Sequence, residues 1–348
     1  MPLVTEKYDY VIGIDTRART HTYAAINTGT GAQEGCEAFP VSPAGMRRAI
    51  AWIGRSSTGE VLAAVEGTRS YGSSITAVLT AKSIPVVEAK PPKRQARAGV
   101  GKTDKIDARA AAMGVLGKDT AALIYPRAEG VRAAISVLLA SRRRLDHQRT
   151  VNRNALNALV REINLGLDAR KALKDRQLID ISAWRQRTDD TAEQRIARDE
   201  AIRLAAAVLH ADKQLKRNKE QLAELGEELA PGLQNQTGVG PVTAGAILVA
   251  YSHHGRVRSE AAFAALAGAA PLQASSGNTV RHRLNRHGDR QLNSALDVIA
   301  KTRMRCDEQT KQYVERRTAQ GLSYREIKRI LKRYIARSIY RQLQHLTA

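Results

Sequence analysis

The sequence predicts an α/β domain followed by a mainly helical remainder. Three observations carry this expectation. Up to about residue 125, short β-type runs alternate with helical ones. From there to about residue 230, β signal nearly vanishes from a stretch rich in Ala, Leu, Arg, Gln and Glu. Pro231-Gly232 then breaks the helical pattern, and Gly-rich turns lead into basic helices. The expected domains are therefore 1–125, 126–230 and 231–348.

In the first part, Tyr10-Val11-Ile12-Gly13-Ile14-Asp15 is a strand candidate that ends in an acid. Residues 21–27 form a second strand, and the turn Thr28-Gly29-Thr30-Gly31 leads to a third at 35–39, as in a meander. Ser42-Pro43 reads as an N-cap with a first-turn proline, opening a helix that runs to Ile53. Val61-Leu62-Ala63-Ala64-Val65 is a continuous apolar run ending in Glu66, as expected of a buried parallel strand. A helix at 72–82 and a short strand at 85–88 follow. Three strands, then alternating helix and strand, is the order of a mixed sheet of the RNase H type.

In the middle part, Val131, Ile135, Leu138, Leu139, Leu145, Leu156, Leu159 and Val160 recur at helical spacing, Gly166 interrupts, and helix resumes. Long amphipathic helices of this kind build bundles or coiled-coil contacts, including contacts between copies. In the last part, Gly238-Val239-Gly240-Pro241 precedes an Ala-rich helix, as in a helix-hairpin-helix element that holds a phosphate with backbone amides. Arg281, Arg283, Arg286 and Arg290 form a basic run suited to phosphate contacts. Arg325, Lys328, Arg329, Lys332, Arg333 and Arg337 recur at three- and four-residue spacing, which predicts one cationic helix face.

Lysine and arginine number 56 against 34 acidic residues, a formal charge of +22. Such a chain repels itself until polyanions neutralise it, so nucleic acid is the expected partner. Aromatic residues make up only 4%, which argues against binding built mainly on base stacking. Cys36 and Cys306 offer neither a disulfide framework nor a zinc site, so a cytoplasmic location is expected. No apolar stretch reaches membrane-spanning length, so no membrane partner is expected.

Four carboxylates stand out by position. Asp15 and Glu66 each end an apolar strand, while Asp104 and Asp107 open a helix three residues apart and so share a face. A sheet of this type would bring strand ends and helix to one edge. Carboxylates crowded there need cations between them, and oxygen-only ligands suit Mg²⁺ or Mn²⁺. Two such ions can stabilise the attacking and leaving oxygens of phosphoryl transfer.

Gly13-Ile14-Asp15, Val65-Glu66-Gly67-Thr68 and Lys102-Thr103-Asp104-Lys105-Ile106-Asp107-Ala108-Arg109 together resemble the DEDD transposases of the IS110 family and the related Piv-type DNA invertases. Gly238-Val239-Gly240-Pro241, Ala267-Gly268-Ala269-Ala270-Pro271 and Ser275-Ser276-Gly277 resemble that family's C-terminal domain, in the right order. The resemblance implies a RuvC-like first domain whose metal ligands are Asp15, Glu66, Asp104 and Asp107. It also implies a serine nucleophile, assigned to Ser276 with Ser275 in reserve. It further implies donor and target double-stranded DNA, an element-encoded noncoding guide RNA, a dimer or tetramer, and work at the bacterial nucleoid.

Two other readings fit parts of the pattern. A RuvC-type junction nuclease would use water in place of serine, and a non-catalytic nucleic-acid-binding protein would need no carboxylate cluster. A tyrosine recombinase, drawing on Tyr324, Tyr334 or Tyr340, ranks below both because it needs no DEDD set.

Overall fold

The computed structural model describes residues 2–90, 103–168, 170–270, 272–273, 282–283, 285 and 288–346. The chain divides into two compact units, Met1–Arg127 and Ala128–Ala348. The helices expected as a separate middle segment and the expected C-terminal domain both fall in the second unit.

The first unit opens with the short helix α1 (Val4–Lys7) and holds a five-stranded sheet. Its strands are β1 (Tyr10–Thr16), β2 (Thr20–Asn27), β3 (Gln33–Pro40), β4 (Val61–Glu66) and β5 (Val86–Ala89), in the order β3-β2-β1-β4-β5. β1 runs antiparallel to β2, and β2 to β3, whereas β1–β4 and β4–β5 are parallel. This is the RNase H-like mixed sheet that the order of elements predicted. The near-continuous apolar run of β4 follows from burial on both faces.

Alternation along the strands sorts the core into two layers. Ile12, Ile14, Ala63 and Val65 pack with Trp52 and Ile53 of α2 (Pro43–Ser56) and with Ile75 and Leu79 of α3 (Ser73–Ala81). Ser42 caps α2 by accepting from the Gly45 amide at 3.1 Å, and Pro43 fills the first turn, as the sequence predicted. On the opposite face, Val11, Leu62, Ala64 and Val87 pack with Ala111, Ala112, Val115 and Leu116 of α4 (Asp104–Leu116). The small side chains of α4 let it lie close to the sheet. A Cβ at Gly13 would sit 2.0 Å from the Ala108 carbonyl oxygen and 2.7 Å from the Ala112 nitrogen. Glycine at this one position of β1 is therefore a condition of the contact.

In the second unit, α5 (Val131–Glu162) and α7 (Ala192–Leu229) pair along their length. Arg149 meets Asp212 at 2.9 Å, Arg142 Nη1 donates to the Leu215 carbonyl at 3.0 Å, and Asn218 Nδ2 donates to the Leu138 carbonyl at 3.0 Å. As one number falls the other rises, so the pair is antiparallel. At about 1.5 Å per residue α7 is roughly 57 Å long. The short α6 (Asp175–Ser182) packs against it. The turn beyond α6 is fixed by Arg198, buried on α7, which donates to both Asp190 oxygens at 2.5 and 2.9 Å and lies 5.0 Å from the Trp184 ring centroid.

After a 3-10 turn at Leu233–Asn235, α8 (Pro241–Tyr251) begins at the predicted Gly240-Pro241 start. The remaining helices are α9 (Glu260–Leu266), α10 (Arg290–Cys306), α11 (Glu308–Ala319) and α12 (Tyr324–Leu346). Ile247, Tyr251, Phe263, Leu296, Ile299, Ile335 and Ile339 form their shared core, which also takes in Ile135, Leu139 and Leu222 of the long pair. Among the described residues no helix is long and apolar enough to cross a membrane.

The expected single cationic face of α12 divides in the structure. Lys328 meets Asp297 at 3.0 Å and Lys332 meets it at 3.8 Å. Arg337 and Arg341 both bind Glu260, at 2.6 and 2.7 Å. Half of the positive charge read as a phosphate-binding stripe therefore neutralises acids of α9 and α10.

Candidate carboxylate site

Asp15 lies near the end of β1 and is buried, although a charged group in that position loses its hydration. Arg17, two residues on, offsets that loss. Its Nε lies 3.0 Å from Asp15 Oδ2, its Nη2 lies 2.9 Å from Asp104 Oδ1, and the same Nη2 lies 3.6 Å from Asp107 Oδ2. One guanidinium thus collects three carboxylates from a strand and a helix that are about ninety residues apart in sequence.

The helix supplies its two acids through its first turn. Thr103 caps α4 by accepting from the Ile106 amide at 3.3 Å, which fixes Asp104 and Asp107 at the positive end of the helix dipole. Asp107 points inward and is buried, whereas Asp104 is half exposed at the rim. Burial pushes the Asp15 carboxyl above its ordinary range, Arg17 pulls it back, and the charges of Asp104 and Asp107 push it up again. The Asp15 carboxyl therefore feels both acids of the helix.

Glu66 ends β4, the parallel neighbour of β1. Ile14 pairs with Val65, so Asp15 and Glu66 follow at the same level of the sheet. Thr16 Oγ1 donates to the Glu66 carbonyl at 2.8 Å, which ties the two strand ends together. The ion pairs of Arg17 are with Asp15, Asp104 and Asp107, and Glu66 stands beside that group on the next strand.

Among the described residues no group of three or more His, Cys, Asp or Glu side chains is arranged to hold a metal ion. The place between Asp15, Asp104 and Asp107 is taken by a guanidinium. The donor set nonetheless fits a hard divalent cation, because it is made of carboxylate oxygens already converged on one positive charge. Arg17 can leave that place, since its side chain is 41% exposed. Arg17 is the member of the site that the sequence reading missed. No local pattern marked it, since Arg17 lies just past the end of β1 and two of its partners sit on a helix about ninety residues on.

Arg17→Gln tests this balance. Without divalent metal, the variant is expected to melt several degrees below wild type, because a buried carboxylate loses its partner. Millimolar Mg²⁺ should restore more of the melting temperature in the variant than in wild type, as read by calorimetry. Equal metal responses in the two proteins would contradict the reading.

Ser275, Ser276, Arg281 and Arg286 lie outside the described residues. Their surroundings are defined on both sides. Leu272–Gln273 pairs antiparallel with His282–Arg283, so the backbone of Arg283 belongs to a two-stranded ribbon. Below that ribbon the chain is pinned. The Asp289 amide donates to the Leu266 carbonyl at 2.6 Å, and Asn293 Nδ2 donates to the Ala267 carbonyl at 2.6 Å. A Cβ at Gly288 would meet Gly268 nitrogen at 2.5 Å, so two glycines let the two flanks touch. Arg290 is exposed in the first turn of α10, directly after the Asp289 cap.

An RNase H-like sheet with acids at its strand ends, in a chain that also carries a basic helical unit, defines a protein of the DNA-processing class. Two family models place it further. Residues 12–165 match the DEDD transposase model of IS110 elements, and residues 230–315 match the transposase model of the IS116/IS110/IS902 family. The chain belongs to the IS110 family of transposases. It matches none of the curated proteins with which it was compared. A transposase domain of the DEDD type implies DNA binding and use of a divalent metal.

Proposed function

We propose that this protein cleaves and rejoins DNA strands with a four-carboxylate metal site and a serine nucleophile. The observation that carries the reading is the convergence of Asp15, Asp104 and Asp107 on the single cation of Arg17. Asp15, Glu66, Asp104 and Asp107 would hold Mg²⁺ or Mn²⁺, which supplies Lewis acidity at phosphate oxygens when bound. Arg17 serves as the counter-charge of the metal-free site.

Ser276 is the proposed nucleophile. Its oxygen bonds to phosphorus as the hydroxyl proton departs, one phosphodiester P–O bond breaks, and the leaving deoxyribose oxygen takes up a proton. Rejoining runs the same exchange in reverse, so the cycle conserves phosphodiester bonds and consumes neither water nor a nucleotide cofactor. Arg281, Arg283, Arg286 and Arg290 would hold the DNA backbone near that serine. The expected division into domains 1–125, 126–230 and 231–348 assigns the carboxylates to the first and the serine to the third. An active site needing both calls for the two to meet within one chain or between copies, consistent with a dimer or tetramer. A noncoding guide RNA pairing with donor and target DNA would supply the sequence reading that a chain relying on Arg and Lys leaves open. The proposed workplace is the bacterial cytoplasm at the nucleoid.

Denaturing gels of protein incubated with element-end DNA and Mg²⁺ test the chemistry. Wild type and Ser275→Ala are expected to give a covalent protein–DNA adduct that Ser276→Ala lacks. Cleavage that persists in Ser276→Ala with no adduct in any variant would mean water is the nucleophile, as in a junction nuclease.

A further inference from the structure

Aromatic residues are scarce in this chain, yet two of its ten tyrosines meet on the surface of the second unit. Tyr313 of α11 and Tyr334 of α12 pack edge to face, with ring centroids 6.2 Å apart and an interplanar angle of 87°. Arg316 and Arg317 place their guanidinium carbons 5.5 and 5.4 Å from the Tyr313 centroid, and Arg317 Nε donates to its hydroxyl at 3.1 Å. Tyr334 remains 50% exposed.

Tyr313 also forms a wall of a cleft of about 510 Å³ between α10, α11 and α12, within the size range of small-ligand sites, roughly 300–1,000 Å³. Apart from Leu331, its other walls are polar. Asn235, Thr237, Gln309 and Ser338 offer amide and hydroxyl groups, and Arg303 offers a cation. That cation is held in place: Nε donates to the Thr237 carbonyl and Nη2 to Gln236 Oε1, both at 2.9 Å. Asp307 lines the cleft too: its Oδ2 caps α11, accepting from Thr310 N and Oγ1 at 2.9 and 2.5 Å, and its charge partly offsets that of Arg303. The cleft therefore has an aromatic side chain, a fixed guanidinium and hydrogen-bonding groups along its walls.

A duplex backbone could use the cation alone, because its bases are stacked and paired. Only an unpaired nucleotide offers a ring for Tyr313, a phosphate for Arg303 and base edges for the amides at once. We propose that this cleft is a binding site for an unpaired nucleotide of a single-stranded nucleic acid, RNA or DNA. The inference goes beyond the cleavage reaction and is independent of the carboxylate cluster. It also localises stacking to one place in a chain whose composition argues against stacking as the main mode of binding.

Fluorescence anisotropy of the full chain with a short labelled RNA, the same sequence as single-stranded DNA, and the DNA duplex tests this at physiological salt. Tyr313→Ala is expected to weaken single-strand binding about tenfold or more and duplex binding less than about twofold, since stacking on one ring is worth about 1–3 kcal/mol. Tyr313→Phe keeps the ring and should bind within about threefold of wild type. Gln309→Glu, an exposed change that sets a negative charge beside the phosphate position, should weaken single-strand binding while the melting temperature stays at the wild-type value. Iodouracil-substituted RNA and DNA should photocrosslink to Tyr313 in wild type, and the strand that crosslinks more efficiently identifies the source. Equal loss of duplex and single-strand binding in a stably folded Tyr313→Ala would overturn the proposal. So would crosslinks that map away from α11 and α12, a test that holds even if Tyr313→Ala folds poorly.

Discussion

Asp107→Asn is expected to reduce DNA cleavage by about 10³-fold or more while the protein still folds. The side chain is buried in the first turn of α4 and reaches to 3.6 Å of Arg17 Nη2. Asparagine keeps its size but removes a negative charge and one anionic oxygen donor. Losing several kcal/mol of transition-state charge stabilisation corresponds to that factor in rate, at about 1.4 kcal/mol per tenfold. The distant contact with Arg17 is the weakest of the three, so the melting temperature should stay within a few degrees of wild type. Adduct formation on element-end DNA across a Mg²⁺ series, with calorimetry on the same sample, gives both readouts. An Asp107→Asn protein that cleaves at the wild-type rate would remove α4 from the proposed site.

The second large effect is expected at a residue that bears no side chain. Gly13→Ala would place a methyl group 2.0 Å from the Ala108 carbonyl oxygen and 2.9 Å from the Ala112 Cβ. Both obstacles belong to a helix pressed against a central strand, so neither can rotate aside as a flexible side chain would. Overpacking of this kind costs about 1–3 kcal/mol, and relief requires α4 to move off the sheet. Asp104 and Asp107 would move with it, away from Asp15. Gly13→Ala should therefore lose activity beyond what its lowered melting temperature explains. Gly114→Ala is the matched control on the same helix. Nothing lies within 4 Å of its added Cβ, and alanine favours helix by up to about 1 kcal/mol, so that variant should be neutral or more stable. Wild-type stability and cleavage in Gly13→Ala would show that the close approach of α4 has no bearing on the site.

These two residues mark where the sequence could be read and where it could not. The strands of the first unit were legible because apolar runs such as Val61 to Val65 are long, bounded by turns and richer in β-branched residues than a helix would need. The N-cap at Ser42 and the break at Gly166 were legible because capping and left-handed backbone select few residue types. Asp15 and Asp107 could be singled out only by the joint pattern, an acid ending each of two apolar strands followed by two acids three residues apart at a helix start. The role of Gly13 was hidden, since the atoms that demand glycine there sit about a hundred residues away on α4. Arg17 was hidden for the same reason: its contact with Asp104 is made in space by two segments that share no local pattern. The basic stripe of α12 was misleading in the opposite way. Its spacing was visible, but its neutralisation by Asp297 and Glu260 depends on which helices pack beside it.

The distance along the chain between Asp15 and Asp107 also sets an order of events during synthesis. A ribosome that has released β1 has made only one of the four acids; Glu66 follows with β4, and Asp104 and Asp107 emerge only after four more strands and two helices. Up to Thr103 the nascent polypeptide carries 13 basic against 8 acidic residues, so most of the chain's 56 basic residues are made after the acids of the first unit. Translation thus completes the converged carboxylates first, and the bulk of the positive charge arrives behind them.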